Sequence, residues 1–397
     1  MRVSMTLAVA ALAISAVAAQ NPSPKDFVGK WEITGTAPDS NKIYFLDVVD
    51  TGDHLEAKFL DRSAHATPVP WIKVENGELV WQKGNSADTL PQPSCGPVYH
   101  AKLEGGKLVG HHEEPGSSGF SSADAGAPCP ARGAGAGGAG GAGRPAGAGA
   151  GAAQSANAMP NAAPKAAPAP PKEPRPAHTV NWTAVTQPIF KPSNANGNHT
   201  YGKPMTIVGT GAGKEAWSGL TPDTWQNECV DRWTVDANGL KNTVGGQGEK
   251  PTCNIYTKDK WQDFKAEMDF ALDTGQNSGF YIRGRHELQL MLPNPGGRGG
   301  EGSYPGQLMD IYGWKRADSP VPNGPGENQH LEVIVVGNHV TAMFNGKKVH
   351  DNAVLYAWTG GALDNKEDQP GPIMIQGDHS RVTVKKLVVT PITKAGM

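Results

Sequence analysis

Short segments of alternating apolar and polar residues, each ended by a turn signal, fill two long stretches of this chain and leave room for little but β-structure. The first stretch, 27–113, contains WEIT, KIYFLDVV, HLEAKFL, VPWIKV, ELVWQ, VYHAKL and KLVGHH. Between them lie TGD, Asn76-Gly77 and Gly105-Gly106, residues that accept the positive φ of tight hairpins. From Pro204 the pattern resumes in RWTVD, FKAEMDFAL, GFYIRG, HELQLML, LMDIYG, LEVIVV, HVTAMF, PIMIQ and RVTVKKLVV. Gly337-Asn338 and Asn345-Gly346 supply two-residue turns there, and no long helical period appears. The expectation is an all-β protein.

Residues 131–176 contain no Leu, Ile, Val, Phe, Tyr or Trp; they run from Gly/Ala repeats into an Ala/Pro tract. With nothing to bury, such a segment cannot offset its ordering entropy, which predicts disorder, stiffer toward Pro176. An interdomain linker is the plain alternative. Seven strands precede it, however, an awkward number for a small closed barrel, and HTVNWTAV (178–185) alternates again as an eighth. The expectation is therefore an N-terminal up-and-down β-barrel over 20–190, carrying a long insertion at about 114–177 between its last two strands. FVGKWEI resembles, weakly, the G-x-W opening of lipocalin-like barrels. No convergent polar set stands out, so a packed interior is expected rather than a ligand-holding one. A Pro- and Asn-rich connector, 191–203, leads to a C-terminal jelly-roll sandwich over 204–397.

Arg2, an apolar run from Leu7 to Val17 and small residues to Ala19 predict a secretory signal over 1–19, hence a secreted or periplasmic protein. The run falls short of the roughly 20 apolar residues a membrane span needs. A net charge of −2 gives no basic footprint, which argues against nucleic acid. Cys95, Cys129, Cys229 and Cys253 form no CxxC; their order suggests Cys95–Cys129 and Cys229–Cys253 disulfides, although spacing alone does not choose among three pairings. Nothing in the sequence sets the oligomeric state.

The stretch from Asn277 to Pro391 interrupts its strands with polar side chains at fixed offsets: Tyr281, Arg283, Glu287, Gln289, Asp310, Tyr312, Gln376 and His379. A sheet that only had to fold would keep apolar residues on its buried face. Gathered carboxylate, carboxamide, phenol and imidazole groups suggest a surface for a polar ligand such as a sugar. NSGFYIRGRHELQ, the IYG segment, the NG hairpin leading to VHDN, and GPIMIQGDH before a basic last strand resemble the bacterial 3-keto-disaccharide hydrolase family. The likeness spans roughly 204–392. It implies a concanavalin-A-like, glucanase-type sandwich acting on glycosides whose C3 hydroxyl is already a ketone, and some family members carry a small barrel before it. The implied reaction is proton abstraction at C2, elimination of the C1 substituent and hydration. Ordinary paired-carboxylate spacing is then not required.

Elimination needs a base near C2, donors on the C3 oxygen and a proton for the leaving oxygen. His379 and Glu287 are the candidate base or acid and Arg283 the stabiliser of the enolate oxygen, making these three the candidate catalytic set. Gln289, Tyr281, Asp310, Tyr312, Gln376 and Trp314 are candidate sugar contacts. Each has a plain alternative: His379 as a surface-loop histidine, HELQ as an exposed strand face, Tyr281 and Trp314 as core. A non-catalytic, lectin-like sugar-binding protein is the competing function. In many relatives an aspartate follows the E-x-Q strand; here Met291-Leu292-Pro293 follows, then PNPGGRGGEGSYPG, so Glu301 or Asp310 substitutes or the chain does without that acid, and the Gly-rich stretch suggests a mobile lid. No cofactor is expected, the metal question stays open, and a structural Ca²⁺ is not excluded. His111-His112 with Glu113-Glu114 is expected to be a solvated strand end, since neighbours on a strand point apart.

Overall fold

The computed structural model describes residues 21–62, 65–84, 96–114, 176–209, 216–220, 233–236, 239–242, 253–272, 277–291, 305–319, 321, 328–377 and 381–396. The predicted signal, residues 131–175, Cys95, Cys129, Cys229 and His379 lie outside them. Cys253 is disulfide-bonded. The protein is all-β: among the described residues there is one 3₁₀ turn, Pro24–Phe27, and no α-helix. No helix is long and apolar enough to cross a membrane among those residues.

The N-terminal region contains β1 (Gly29–Gly35), β2 (Ile43–Asp50), β3 (Leu55–Asp61), β4 (Thr67–Pro68) and β5 (Ile72–Glu75). It continues with β6 (Glu78–Gln82), β7 (Val98–Glu104), β8 (Lys107–Glu114) and β9 (His178–Thr186). They form one antiparallel sheet in the order β4-β3-β2-β1-β9-β8-β7-β6-β5. β9 lies between β1 and β8, pairing Trp182 with both Gly35 and Gly110. The outer strands of this order, β4 and β5, are consecutive in sequence, so the chain itself joins the two ends of the sheet.

One face of the sheet is filled by Trp31, Ile33, Tyr44, Leu46, Phe59, Leu79, Trp81, Tyr99 and Trp182. Tyr99 lies stacked between His112 at 4.2 Å and Trp81 at 5.1 Å, ring centre to ring centre. Gly110 makes this packing possible: a Cβ there would stand 2.3 Å from the Trp182 indole. His112 is 1 % exposed and faces inward, not a solvated strand end as expected, while His111 stacks on His100 outside, as alternation requires.

The second region begins with β10 (Thr200–Tyr201), β11 (Met205–Val208), β12 (Trp217–Leu220), β13 (Trp233–Asp236), β14 (Gly239–Asn242) and β15 (Asn254–Thr257). Next come β16 (Phe264–Ala271), β17 (Asn277–Ile282), β18 (His286–Met291), β19 (Gln329–Val336) and β20 (His339–Phe344). β21 (Lys347–Val354), β22 (Met374–Ile375) and β23 (Thr383–Lys394) complete it. One sheet runs β13-β14-β23-β16-β19-β20-β21, with β10 and β11 also on β23; the other runs β12-β15-β22-β17-β18. Phe264, Met268, Leu331, Val333 and Leu387 of the first meet Ile255, Phe280, Ile282, Leu288 and Ile375 of the second in a common core. Full burial of each such side chain stabilises by about 1.5–3 kcal/mol. This is a jelly-roll-type sandwich.

The regions meet through 356–367, between β21 and β22. Ile43, Phe45 and Leu60, on the outer face of the N-terminal sheet, pack against Ala357, Trp358 and Ala362. That contact explains why β2 is buried on both faces over Ile43–Leu46. Trp358 Nε1 donates to Glu32 at 2.9 Å, Gly361 N to the Arg62 carbonyl at 2.7 Å, and Asn365 Nδ2 to Thr34 at 3.0 Å.

Candidate functional site

Strand alternation divides the five-stranded sheet into two faces. Phe280, Ile282, Leu288, Leu290, Ile373 and Ile375 enter the core. The register pairs Gly279 with Gln289 and Tyr281 with Glu287, and sets Met374 beside Tyr281. Gln376 follows two residues on and donates its backbone N–H to the Gly279 carbonyl at 2.9 Å. Beyond β18, residues 309–312 add a further short paired segment through the Leu288–Ile311 bridge. The outward face therefore carries two adjoining rows: Tyr312, Glu287, Tyr281, Met374 and Tyr256; and Asp310, Gln289, Gly279, Gln376 and Asn254. Tyr281, Glu287, Gln289, Asp310, Tyr312 and Gln376 are brought together as expected from their spacing.

Burial sets this face apart from a solvated one. Glu287 is 2 % exposed and Gln289 4 %, which removes the exposed-strand reading of HELQ. Glu287 leans over Gly279: a Cβ on that glycine would stand 2.2 Å from Glu287 Oε1. Its Oε2 lies 2.9 Å from the Tyr281 hydroxyl, which is also 2.8 Å from the Gly360 carbonyl. A phenol has a single proton, so Tyr281 stands between two acceptors and can point its hydrogen bond at either, although only the Glu287 carboxylate can exchange a proton with it. The Glu287 amide donates to Thr359 Oγ1 at 3.0 Å, and a Cβ on Gly361 would meet the Tyr281 hydroxyl at 2.6 Å. Gln289 Nε2 donates to Asn277 at 3.2 Å, while Gln376 Oε1 is buried with no partner among the described residues.

Three of the expected site residues, the catalytic candidate Arg283 and the sugar contacts Asp310 and Trp314, have other employment. Arg283 opens the β17–β18 turn at φ 54 and is 1 % exposed; its guanidinium donates to the Gly337 carbonyl at 2.6 Å, across the sandwich on the β19–β20 turn. Burial, with Arg285 beside it, pulls that guanidinium down to about 10. Left-handed backbone turns the side chain away from the Glu287 row, so Arg283 does not join it. Asp310 sits on the row, but its carboxylate accepts from the amides of Gly306, Gln307 and Ala317, each at 2.9 Å, and from Arg316 at 3.1 Å. It organises its own loop. Trp314 donates to the Trp358 carbonyl at 2.9 Å and packs on Phe45 and Tyr356, which places it in the joint between the regions rather than on the sugar-facing rows.

His379 and Glu301 lie outside the described residues, as does most of the Gly-rich stretch. Among the described residues no three His, Cys, Asp or Glu side chains converge as a metal set. Sequence reasoning missed Gly279, Asn254, Thr359 and Gly360. Gly279 had a signal, a glycine inside a strand marking a close approach; Thr359 and Gly360 come from a distant loop and had none.

The model of the 3-keto-alpha-glucoside-1,2-lyase-like domain matches residues 211–390, the span that holds both rows. No curated protein matches the chain. Among solved structures, a candidate glycosyl hydrolase from Parabacteroides distasonis is 18% identical, covering 52% of this chain and 93% of its own, with a TM-score of 0.37. A second from the same organism is 21% identical over 44% of this chain and 99% of its own, TM-score 0.33. A carbohydrate binding module from Bacillus subtilis is 10% identical over 45% and 92%, TM-score 0.24.

Proposed function

We propose that the two rows bind a glycoside already oxidised to a ketone at C3 and cleave its glycosidic bond by elimination. The observation that carries this reading is the disposition of acids on the face. Asp310 is committed to four donors of its own loop, which leaves Glu287 as the acid of the rows among the described residues. Direct displacement at C1 calls for two carboxyl groups about 5–9.5 Å apart. Elimination calls for one base and one proton donor, because the ketone acidifies the C2 proton. The family match on 211–390 supports the same substrate class.

In this reading the base takes the proton from C2 and the C2–H electrons form an enolate on the C3 oxygen. The enolate collapses to a C1=C2 double bond as the C1–O bond breaks, and the departing oxygen takes a proton. Water then adds across C1 and C2 to give the free 3-keto sugar. Glu287 and His379 divide the proton transfers, with Tyr281 relaying to or from Glu287 through its 2.9 Å hydrogen bond. Gln289, Gln376 and Tyr312 hold ring hydroxyls. The test is incubation of the protein with a 3-keto-glucoside and, in parallel, with its unoxidised parent. Aglycone release or enone absorbance from the keto sugar alone supports the reading; sugar binding without turnover on either would establish the lectin-like function instead.

A further inference from the structure

Segment 356–367 touches both the N-terminal sheet and the polar rows. Toward the rows, the Gly360 carbonyl lies 2.8 Å from the Tyr281 hydroxyl, Thr359 Oγ1 accepts from the Glu287 amide, and the Ala357 carbonyl lies 3.1 Å from His286 Nδ1. Toward the N-terminal sheet, Glu367 meets Glu32 of β1. These two carboxyls are 1 % and 3 % exposed.

Each carboxyl has one oxygen with a donor. Glu32 Oε2 accepts from Trp358 Nε1 at 2.9 Å, and Glu367 Oε2 from Gln187 Nε2 at 2.5 Å. The other oxygen of each, Oε1, is buried with no donor among the described residues, and the two carboxyls are near enough for each to shift the other's titration. Two ionised carboxylates are acceptors only, so this pair of donorless oxygens can satisfy one another only if one carboxyl carries a proton. His286 does not supply it. Its Nδ1 faces a carbonyl and is the protonated nitrogen, so Nε2, 3.6 Å from Glu367 Oε1, presents a lone pair. Burial first, then the charge of Arg283, holds that imidazole neutral, well below its usual range.

The charged groups around the pair are Lys30 from β1, Arg283 and Arg285 from the β17–β18 turn, and His286 from β18. Arg285 is paired with Asp364 at 2.5 Å, and Lys30 and Arg283 feel Asp47 and Asp263 as well as Glu367. A second negative charge on the pair would thus be buried against a like charge, which is costly.

We propose that Glu32 and Glu367 share one proton across the joint, and that this bond positions segment 356–367 for Tyr281 and Glu287. The N-terminal region is then a working part of the site. Glu32 and Glu367 are positioning residues, since neither reaches the rows itself.

The consequence for pH has a fixed sign. Burial raises both carboxyls above the ordinary 4.5, Glu32 well above it. The folded joint therefore keeps a proton that the unfolded chain has lost. Its contribution is complete below about 4.5 and fades as pH rises through the raised folded value.

The experiment uses the full chain and no substrate, so its failure is separate from failure of the proposed activity. Melting temperature is followed from pH 4.5 to 9 in wild type, Glu32→Gln and Glu367→Gln, together with hydrogen-exchange protection of the 286–291 backbone. Glutamine supplies a permanent donor in place of the shared proton. Wild type is expected to lose about 1–3 °C per pH unit relative to either variant across the titration. Protection at 286–291 should fall with pH in wild type and stay level in the variants. Parallel melting curves with parallel protection overturn the proposal. If Glu32→Gln fails to fold, Glu367→Gln alone decides it by the same criterion.

Discussion

The N-terminal sheet and the five-stranded sheet of the sandwich each bury a face rich in rings and polar groups, and they use it in opposite ways. Inside the first, Trp81, Tyr99, His112 and Trp182 lie ring against ring and fill the space, and Gly110 is there so that an indole fits. On the second, Gly279 makes room for a carboxylate, and the polar side chains are tied by hydrogen bonds, Tyr281 to Glu287 and Gln289 to Asn277. A filled interior responds to volume and is indifferent to chemistry at constant volume. The polar rows should respond to chemistry even where volume is unchanged.

The strongest expected effect tests the filled side. Trp182→Ala should cost about 3–5 kcal/mol of stability, read by chemical denaturation, while the folded fraction keeps its turnover. Loss of turnover in proportion to stability alone would be consistent; loss beyond it would mean that the interior belongs to the site. Gly279→Ala probes the polar side with one methyl group. The new Cβ would occupy the place of Glu287 Oε1, 2.2 Å away, and displacement on this scale should lower kcat roughly 10²-fold with little change in melting temperature. Normal turnover in that variant would show that Glu287 has no fixed post.

Asp310→Ala removes the acceptor of four donors and should destabilise by about 2–3 kcal/mol, with faster exchange at the amides of Gly306, Gln307 and Ala317. Unchanged exchange there would return Asp310 to the list of sugar contacts. The smallest effect belongs to the N-terminal sheet. Hydrogen bonding to His112, with Lys42 beside it, lowers Glu114 to about 2. A depressed carboxyl contributes above its unfolded value near 4.5, and the contribution fades as pH falls toward about 2. Glu114→Gln should flatten the acid limb of the stability curve slightly and leave the neutral range alone; an altered slope near pH 7 would contradict this assignment.

Much of this was legible from alternation. Strand content and the placing of Glu287 with Gln289 and of Asp310 with Tyr312 follow from a period of two; the same period should have turned His112 inward, where a solvated strand end was expected. Local φ defeated the expectation for Arg283. Parity puts its side chain with Tyr281, but a left-handed residue at the turn redirects it across the sandwich to Gly337. Asp310 failed for a different reason: sequence shows a buried acid but not the three amides folded back onto it. Trp314 failed, and Glu32 drew no expectation at all, because their partners, Trp358 and Glu367, are far away in sequence and meet them only in the joint. The unbroken apolar run Ile43–Leu46 was the one local sign that β2 is covered on both sides.

The central claim is that the buried Glu287 row is where the chemistry happens, and turnover of a 3-keto-glucoside by Glu287→Gln tests it most directly. Glutamine keeps the volume and the hydrogen bond to Tyr281 but cannot exchange a proton. The account predicts an intact fold, retained binding of the keto sugar and a kcat at least about 10²-fold lower. A folded Glu287→Gln protein that cleaves the keto sugar at the wild-type rate would contradict it.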